Sequence, residues 1–193
     1  MKKTIYFMRH GQTVFNELKQ IQGWCDSPLT KFGIAQAKVA GQWFKDNQLV
    51  FQKAYCSTAE RTADTIENVF PNLVYHRLKG LKEQGYGKFE GQPEFLSPLP
   101  PYNDFFKYAG GESETEVYAR IAETIKSIAK ADADSQILIV GHGAAIQYFL
   151  RKHLKENQTA PKFTNCSILI FEYENDDFEF IKVINHDYSH LKE

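Results

Sequence analysis

The sequence predicts an α/β protein: a three-layer α/β/α sandwich around a mostly parallel central sheet with an antiparallel edge strand. Short apolar runs alternate with amphipathic segments up to about residue 150, which is how βα units with right-handed crossovers read. Gln136-Ile-Leu-Ile-Val140 is a continuous apolar run, the signature of a parallel strand buried on both faces. Toward the C-terminus, Ser167–Tyr173 and Phe178–Ile184 flank Asn175-Asp176-Asp177 and read as a hairpin.

The elements follow in order. Thr4-Ile5-Tyr6-Phe7-Met8 reads as the first strand and ends at Arg9-His10-Gly11. Thr30 is a candidate N-cap for a helix with an apolar stripe at Phe32, Ala35, Val39, Ala40 and Trp43. Lys53–Ser57 reads as a second strand, followed by a helix with Ala59, Ala63, Ile66 and Phe70 on one face. Leu73–His76 reads as a short third strand. Residues 80–111 are rich in Gly and Pro. They read as an ordered loop region or small cap, because Tyr86, Phe89, Phe95, Tyr102, Phe105 and Phe106 need a place to pack. Ser113-Glu-Thr-Glu116 fits a capping box and opens a helix carrying Val117, Ile121, Ile125 and Ile128. Gly141-His142-Gly143 ends the apolar run, and a helix with Ile146, Phe149 and Leu150 follows.

A chain of 193 residues suits a single domain spanning 1–193, with the cap at about 84–111. A net charge of −1 gives no basic surplus for sequence-independent nucleic-acid binding. Met1-Lys2-Lys3 resembles the charged opening of a signal peptide, but only five apolar residues follow before Arg9. That is too short for a signal core or a membrane span, so no membrane partner is expected and the cytoplasm is the expected location. Cys25, Cys56 and Cys166 are odd in number and lack CxxC spacing, which reads as core or half-buried thiols rather than zinc ligands or disulfides.

Arg9, His10, Arg61 and His142 all fall at strand-to-helix junctions. Right-handed crossovers gather strand carboxyl ends onto one sheet edge, so these residues can converge into an anion site. Arg61 lies in the first turn of its helix, where free N–H groups add positive potential. Gly11 and Gly143 each follow a histidine and allow close backbone approach. The set suits phosphoryl transfer, which depends on positioning and on donors aimed at the equatorial oxygens. No HExxH motif is present, and arginines can take the place of a metal as charge stabilisers. Neutral imidazole can attack phosphorus to give a phosphohistidine. The histidine pKa of about 6.5 should fall further beside arginines. The leaving alkoxide needs an acid, and Glu83 in the Gly-rich stretch Leu81–Gly91 is the candidate. It must be raised above its usual value of about 4.3 by burial or by the substrate dianion. Glu90 in the same stretch is a rival.

The ordered motifs resemble the histidine phosphatase superfamily, in the branch containing cofactor-dependent phosphoglycerate mutases and broad phosphatases. The stretches that carry the resemblance are Met8-Arg-His-Gly-Gln-Thr13 with Asn16; Gln22-Gly-Trp-Cys-Asp-Ser-Pro-Leu-Thr30 with Gly33 and Gln36-Ala37; Ser57-Thr-Ala-Glu-Arg-Thr62 with Thr65; Leu81–Gly91; Gly110-Gly-Glu-Ser113; and Val140-Gly-His-Gly143. The resemblance implies His10 as the phosphorylated nucleophile and Glu83, in preference to Glu90, as the proton donor. It implies Arg9, Arg61 and His142 as phosphoryl ligands, and Asn16 with the Gln22-Gly23 turn as phosphate or substrate contacts. It also implies no metal and no cofactor.

A mutase must exclude water from the phosphohistidine, which takes closing segments and basic residues. Between Gly91 and Gly110 this chain has a short Pro- and Phe-rich stretch with Lys107 as its one basic residue. The glycolytic mutases of the family carry a longer Trp- and Arg-containing segment there. The expected activity is therefore hydrolysis of a small phosphorylated metabolite, with Glu83 then serving as base for water. Phosphoglycerate mutase is the alternative, and a non-catalytic phosphate-binding module is a third. The aromatics of the cap point to a partly apolar mouth. His186 and His190 have i, i+4 spacing but no supporting motif; with His76 and His153 they read as structural or exposed. Trp24 and Trp43 read as packing residues, with Trp24 near enough to the phosphate turn to line its mouth. The hairpin edge is available for pairing, while the sequence leaves the oligomeric state open.

Overall fold

A computed structural model describes residues 2–191. Met1, which opens the charged segment, lies outside the described residues, as do Lys192 and Glu193. The chain forms strands β1 (Lys3–Arg9), β2 (Ala54–Cys56), β3 (Tyr75–Arg77), β4 (Gln136–Gly141), β5 (Ile168–Glu174) and β6 (Asp177–Ile184). Helices are α1 (Val14–Glu17), α2 (Lys31–Asp46), α3 (Glu60–Val69), α4 (Phe105–Tyr108), α5 (Glu114–Ala131) and α6 (Gly143–Lys152). The sheet order is β3-β2-β4-β1-β5-β6. The first four strands pair in parallel; β5 runs antiparallel to β1, and β6 antiparallel to β5.

Strand alternation sorts the core into two layers. Ile5 and Phe7 of β1 and Ile137 and Ile139 of β4 face a cluster with Val117, Ile121 and Ile125 of α5 and Phe149 of α6. Tyr6, Met8, Leu138 and Val140 face the opposite cluster, with Ala37, Ala40 and Phe44 of α2 and Ile66 of α3. Burial on both faces explains why β1 and β4 read as unbroken apolar runs. Thr30 caps α2 by accepting from the Gly33 N–H, and Ser113 and Glu116 complete their capping box.

The α2 stripe is a correction. Its buried residues are Gly33, Gln36, Ala37, Ala40 and Phe44, whereas Phe32, Ala35, Val39 and Trp43 are only partly covered. The helix is rotated because Phe44 fits among Tyr6, Phe51 and Phe70. Gly33 also packs directly on the Gln12 backbone; a Cβ there would lie 2.0 Å from the Gln12 oxygen. The third strand is also displaced: Leu73 only joins the core margin, Val74 is exposed, and pairing with β2 begins at Tyr75.

In the cap, short 3-10 turns and α4 replace regular structure between Leu81 and Ser113. Tyr86, Phe89, Tyr102 and Phe105 surround buried Phe106. Phe95 does not join them and remains 82% exposed. Among the described residues no helix is long and apolar enough to cross a membrane. Cys56 and Cys166 are buried and Cys25 is half-buried, all as free thiols.

Candidate active site

Sheet register assembles the site. Arg9 is opposite Gly141, and the His10 N–H donates to the Gly141 carbonyl at 3.0 Å. His10 and His142 therefore leave adjacent strands side by side, with ring centroids 5.3 Å apart. Cys56 is opposite Val140, which brings Ser57 against His142; Ser57 Oγ lies 2.7 Å from His142 Nε2.

A hydrogen bond fixes the role of the His10 imidazole. His10 Nδ1 lies 2.8 Å from its neighbour's carbonyl, Gly11 O. An acceptor there requires the proton on Nδ1, which leaves the Nε2 lone pair free. Around His142, Thr62 Oγ1 donates to the Ala59 carbonyl and Ser57 Oγ accepts from the Ala59 N–H. When the Ser57 proton is directed to His142 Nε2 rather than to Thr62 Oγ1, 3.1 Å away, His142 carries its own proton on Nδ1. Burial, reinforced by the charges of Arg61 and Arg9, holds His10 well below the usual histidine pKa. Burial, reinforced by Arg61 and then by His10, does the same for His142. Both rings are neutral at physiological pH.

Among the described residues, five buried side-chain nitrogens lack a hydrogen-bond partner: Arg9 Nε, Arg61 Nε, His142 Nδ1, His153 Nε2 and His186 Nε2. The first three cluster around His10. Buried unpaired donors are costly, and a tetrahedral oxyanion supplies the acceptors they need. The remainder of Arg61 is committed: Nη1 donates to the Cys25 carbonyl and Asp26 Oδ1, and Nη2 to the Gly23 carbonyl. Asp26 also accepts from the Glu60 N–H at the start of α3.

A cavity of about 490 Å³ opens over this cluster, with Arg9, His10, Asn16, Gln22, Glu83 and Gly143 on its surface. Arg61 and His142 are fully buried beside it. Asn16 Oδ1 accepts from the Thr13 N–H and Asn165 Nδ2, which leaves its amide as a donor. The Gln22 side chain is occupied within the protein, accepting from Thr13 Oγ1 and donating to Ser27 Oγ. Gly23 sits behind the cavity, where a Cβ would lie 2.5 Å from the Gln84 oxygen. Gly143 leaves room for Arg9, whose guanidinium carbon would be 3.4 Å from a Cβ there.

Glu83 is buried, and its carboxyl accepts from the Gln84, Ala144 and Ala145 N–H groups at 2.9, 3.0 and 2.9 Å. The last two are free donors of the α6 N-terminus. Glu90 faces away from the cavity and accepts from the Trp24, Cys25 and Tyr86 N–H groups, so it secures the 23–25 turn on which Arg61 rests. Trp24 is half-exposed, and its Nε1 donates to the Glu83 carbonyl at 3.0 Å. His76 is exposed against Tyr55, His153 packs among Tyr118, Phe149 and Phe178, and His186 packs on Trp43. His186 and His190 share no helix.

Sequence reasoning gave no role to Asp26, Ser57, Asn165 or Arg120. Asp26 and Ser57 stand inside the quoted motifs, so a signal existed. Asn165 holds the His10 carbonyl and Asn16 from 149 residues away from the latter, and no local pattern marks it.

Comparison with known proteins identifies the family. Residues 5–186 match the family described as histidine phosphatase superfamily, branch 1. The chain is 32% identical over 148 residues to an uncharacterized phosphatase, PhoE, of Bacillus subtilis, covering 76% of this chain and 75% of that protein. It is 27% identical over 185 residues to a probable phosphoglycerate mutase, GpmB, of Yersinia pestis, covering 88% and 85%. It is also 27% identical to a 6-phosphofructo-2-kinase/fructose-2,6-bisphosphatase of Caenorhabditis elegans over 81% of its own length, but spans only 36% of that protein. Among solved structures, Bacillus stearothermophilus YhfR superposes with a TM-score of 0.79 at 27% identity, covering 92% of this chain and 95% of that one. A phosphoserine phosphatase of Entamoeba histolytica, in complex with 3-phosphoglyceric acid, gives 0.77 at 25% identity, covering 96% and 98%. The chain belongs to the histidine phosphatase superfamily.

Proposed function

We propose that this protein is a phosphomonoester hydrolase that needs no metal and works through a phosphohistidine at His10 on a small phosphorylated metabolite. The observation that carries this reading is the convergence of a free His10 Nε2 with three unpartnered buried donors at one cavity that also holds Glu83. In this reading Arg9, Arg61 Nε, His142 Nδ1–H and the Asn16 amide bind the phosphoryl oxygens. His10 Nε2 attacks phosphorus, the P–O ester bond breaks, and its electron pair goes to the leaving oxygen. Glu83 protonates that oxygen. Glu83 as carboxylate then takes a proton from water, whose oxygen attacks phosphorus. The P–N bond breaks and its electron pair returns to His10 Nε2.

Hydrolysis rather than mutase action is supported by the cavity's charge. Arg9 is the one Arg or Lys among the described residues that line it, and Glu94 stands at the mouth with Ile21, Phe95, Leu99 and Tyr102. A phosphoglycerate would bring its carboxylate toward Glu94 with no second cation to receive it. The substrate's remaining part is therefore neutral, cationic or apolar.

The test is phosphate release from a panel of phosphomonoesters in EDTA, with 3- to 2-phosphoglycerate interconversion assayed in parallel. The expected result is release that EDTA does not reduce. Interconversion without release would make the protein a mutase. Phosphate binding without turnover of either kind would leave the non-catalytic module.

A further inference from the structure

Glu83 belongs to a loop without regular structure, yet a proton donor must be placed to within a fraction of an ångström. Its carboxyl is held by α6, and its main chain is held from another direction. Arg120, on α5, points its guanidinium into the loop: Nη1 donates to the Gly80 and Lys82 carbonyls at 3.0 and 2.8 Å, and Nη2 donates to the Glu83 carbonyl at 3.2 Å. The same guanidinium is paired with both oxygens of Glu112, at 3.0 and 2.8 Å. Glu112 Oε2 accepts from the Gly85 N–H at 2.9 Å, and the Glu112 N–H donates to the Gly85 carbonyl at 2.8 Å. Trp24 Nε1 gives the Glu83 carbonyl a second donor. Three carbonyls and a carboxylate thus converge on one planar fork, a set lysine cannot satisfy.

We propose that Arg120, bridged to Glu112 and assisted by Trp24, is the positioning residue that fixes Glu83 for proton transfer to the leaving oxygen. The assignment rests on the reading of Glu83 as general acid. Arg120 touches neither cavity nor substrate; it acts through the Glu83 main chain.

A leaving group's need for a proton separates this role from general support of the fold. An alkyl phosphate expels a poor leaving group that must be protonated, whereas 4-nitrophenyl phosphate expels a stabilised phenolate. Steady-state kcat/KM for both esters would be measured on wild type, Arg120→Lys, Trp24→Phe and Glu83→Gln, with a thermal melt of each. Glu83→Gln should lose about 10²–10⁴-fold on the alkyl ester and much less on the aryl ester. Arg120→Lys should lose about 10–100-fold on the alkyl ester and under about threefold on the aryl ester. Trp24→Phe, which keeps a smaller aromatic ring and removes the Nε1–H hydrogen bond, should shift the ratio the same way by about threefold. If Glu83→Gln shows the selective loss but Arg120→Lys affects both esters equally, or neither, positioning by Arg120 is refuted while the role of Glu83 stands. Equal loss of both esters in Glu83→Gln refutes the acid and the positioning claim together. The lysine and phenylalanine variants keep the test open should a larger truncation fail to fold.

Discussion

At the floor of the cavity, His10, Arg61 and His142 expose 4%, 0% and 0% of their surface; at its mouth, Phe95 and Leu99 expose 82% and 90%. The floor is set by β1, β2 and β4, whose paired register fixes where Arg9, His10, Ser57 and His142 emerge. The mouth is set by short turns between Pro93 and Tyr102, held to the body by a few backbone bonds such as Glu94 N–H to the Lys19 carbonyl. A desolvated floor strengthens electrostatic contacts with a bound phosphoryl group. The exposed mouth lies apart from those buried contacts. On the proposed reading the two regions separate chemistry from selection, so that each can be perturbed alone.

The largest effect should come from the floor. On the proposed reading, His142→Ala removes a donor to the phosphoryl oxygens and should lower kcat/KM by about 10²–10³-fold on every ester. A loss that depends strongly on the leaving group would move His142 out of the phosphoryl site. Perturbing the mouth should do less, and unevenly. Phe95→Ala and Leu99→Ala should raise KM by about tenfold for esters with a bulky apolar part, while kcat for a small ester stays near wild type. Equal loss on small and bulky esters would show that the mouth participates in the chemistry.

The smallest effect concerns stability. Burial holds His10, His142, His153 and His186 below the usual histidine pKa. Between those lowered values and the unfolded value of about 6.5, the unfolded chain binds more protons, so stability rises with pH. The contribution is fully present above about pH 6.5 and is lost as pH falls toward the folded values. Denaturant unfolding at pH 8 and pH 5 should show the lower midpoint at pH 5. His142→Gln, which cannot take up a proton, should narrow the gap. An unchanged gap would place the acid sensitivity at the other three rings or in the carboxylates.

What the sequence made legible follows the range of the interactions. The Gln136–Val140 run, the Ser113–Glu116 box and the hairpin turn are local, and each stands where its pattern indicates. The family motifs brought His10, Arg61, Glu83 and His142 into one reading; register sets His10 beside His142, while Arg61 comes from α3 and Glu83 from a loop held by α6. The α2 face was displaced because burial there is decided by Phe51 and Phe70 from other segments. Arg120 carries no local signal, since its partners at Gly80, Lys82 and Glu83 lie about forty residues earlier. Phe95 reads as a core aromatic and instead stands at the cavity mouth, because Phe106 already fills the small cap core.

The central claim is that the phosphoryl group passes through His10. The direct measurement is a rapid alkaline quench of enzyme turning over a ³²P-labelled phosphomonoester, followed by peptide mapping, in wild type and His10→Ala. The account predicts acid-labile, base-stable label on the peptide containing His10, absent from the variant. Turnover with no labelled protein, or label that persists in His10→Ala, would contradict it.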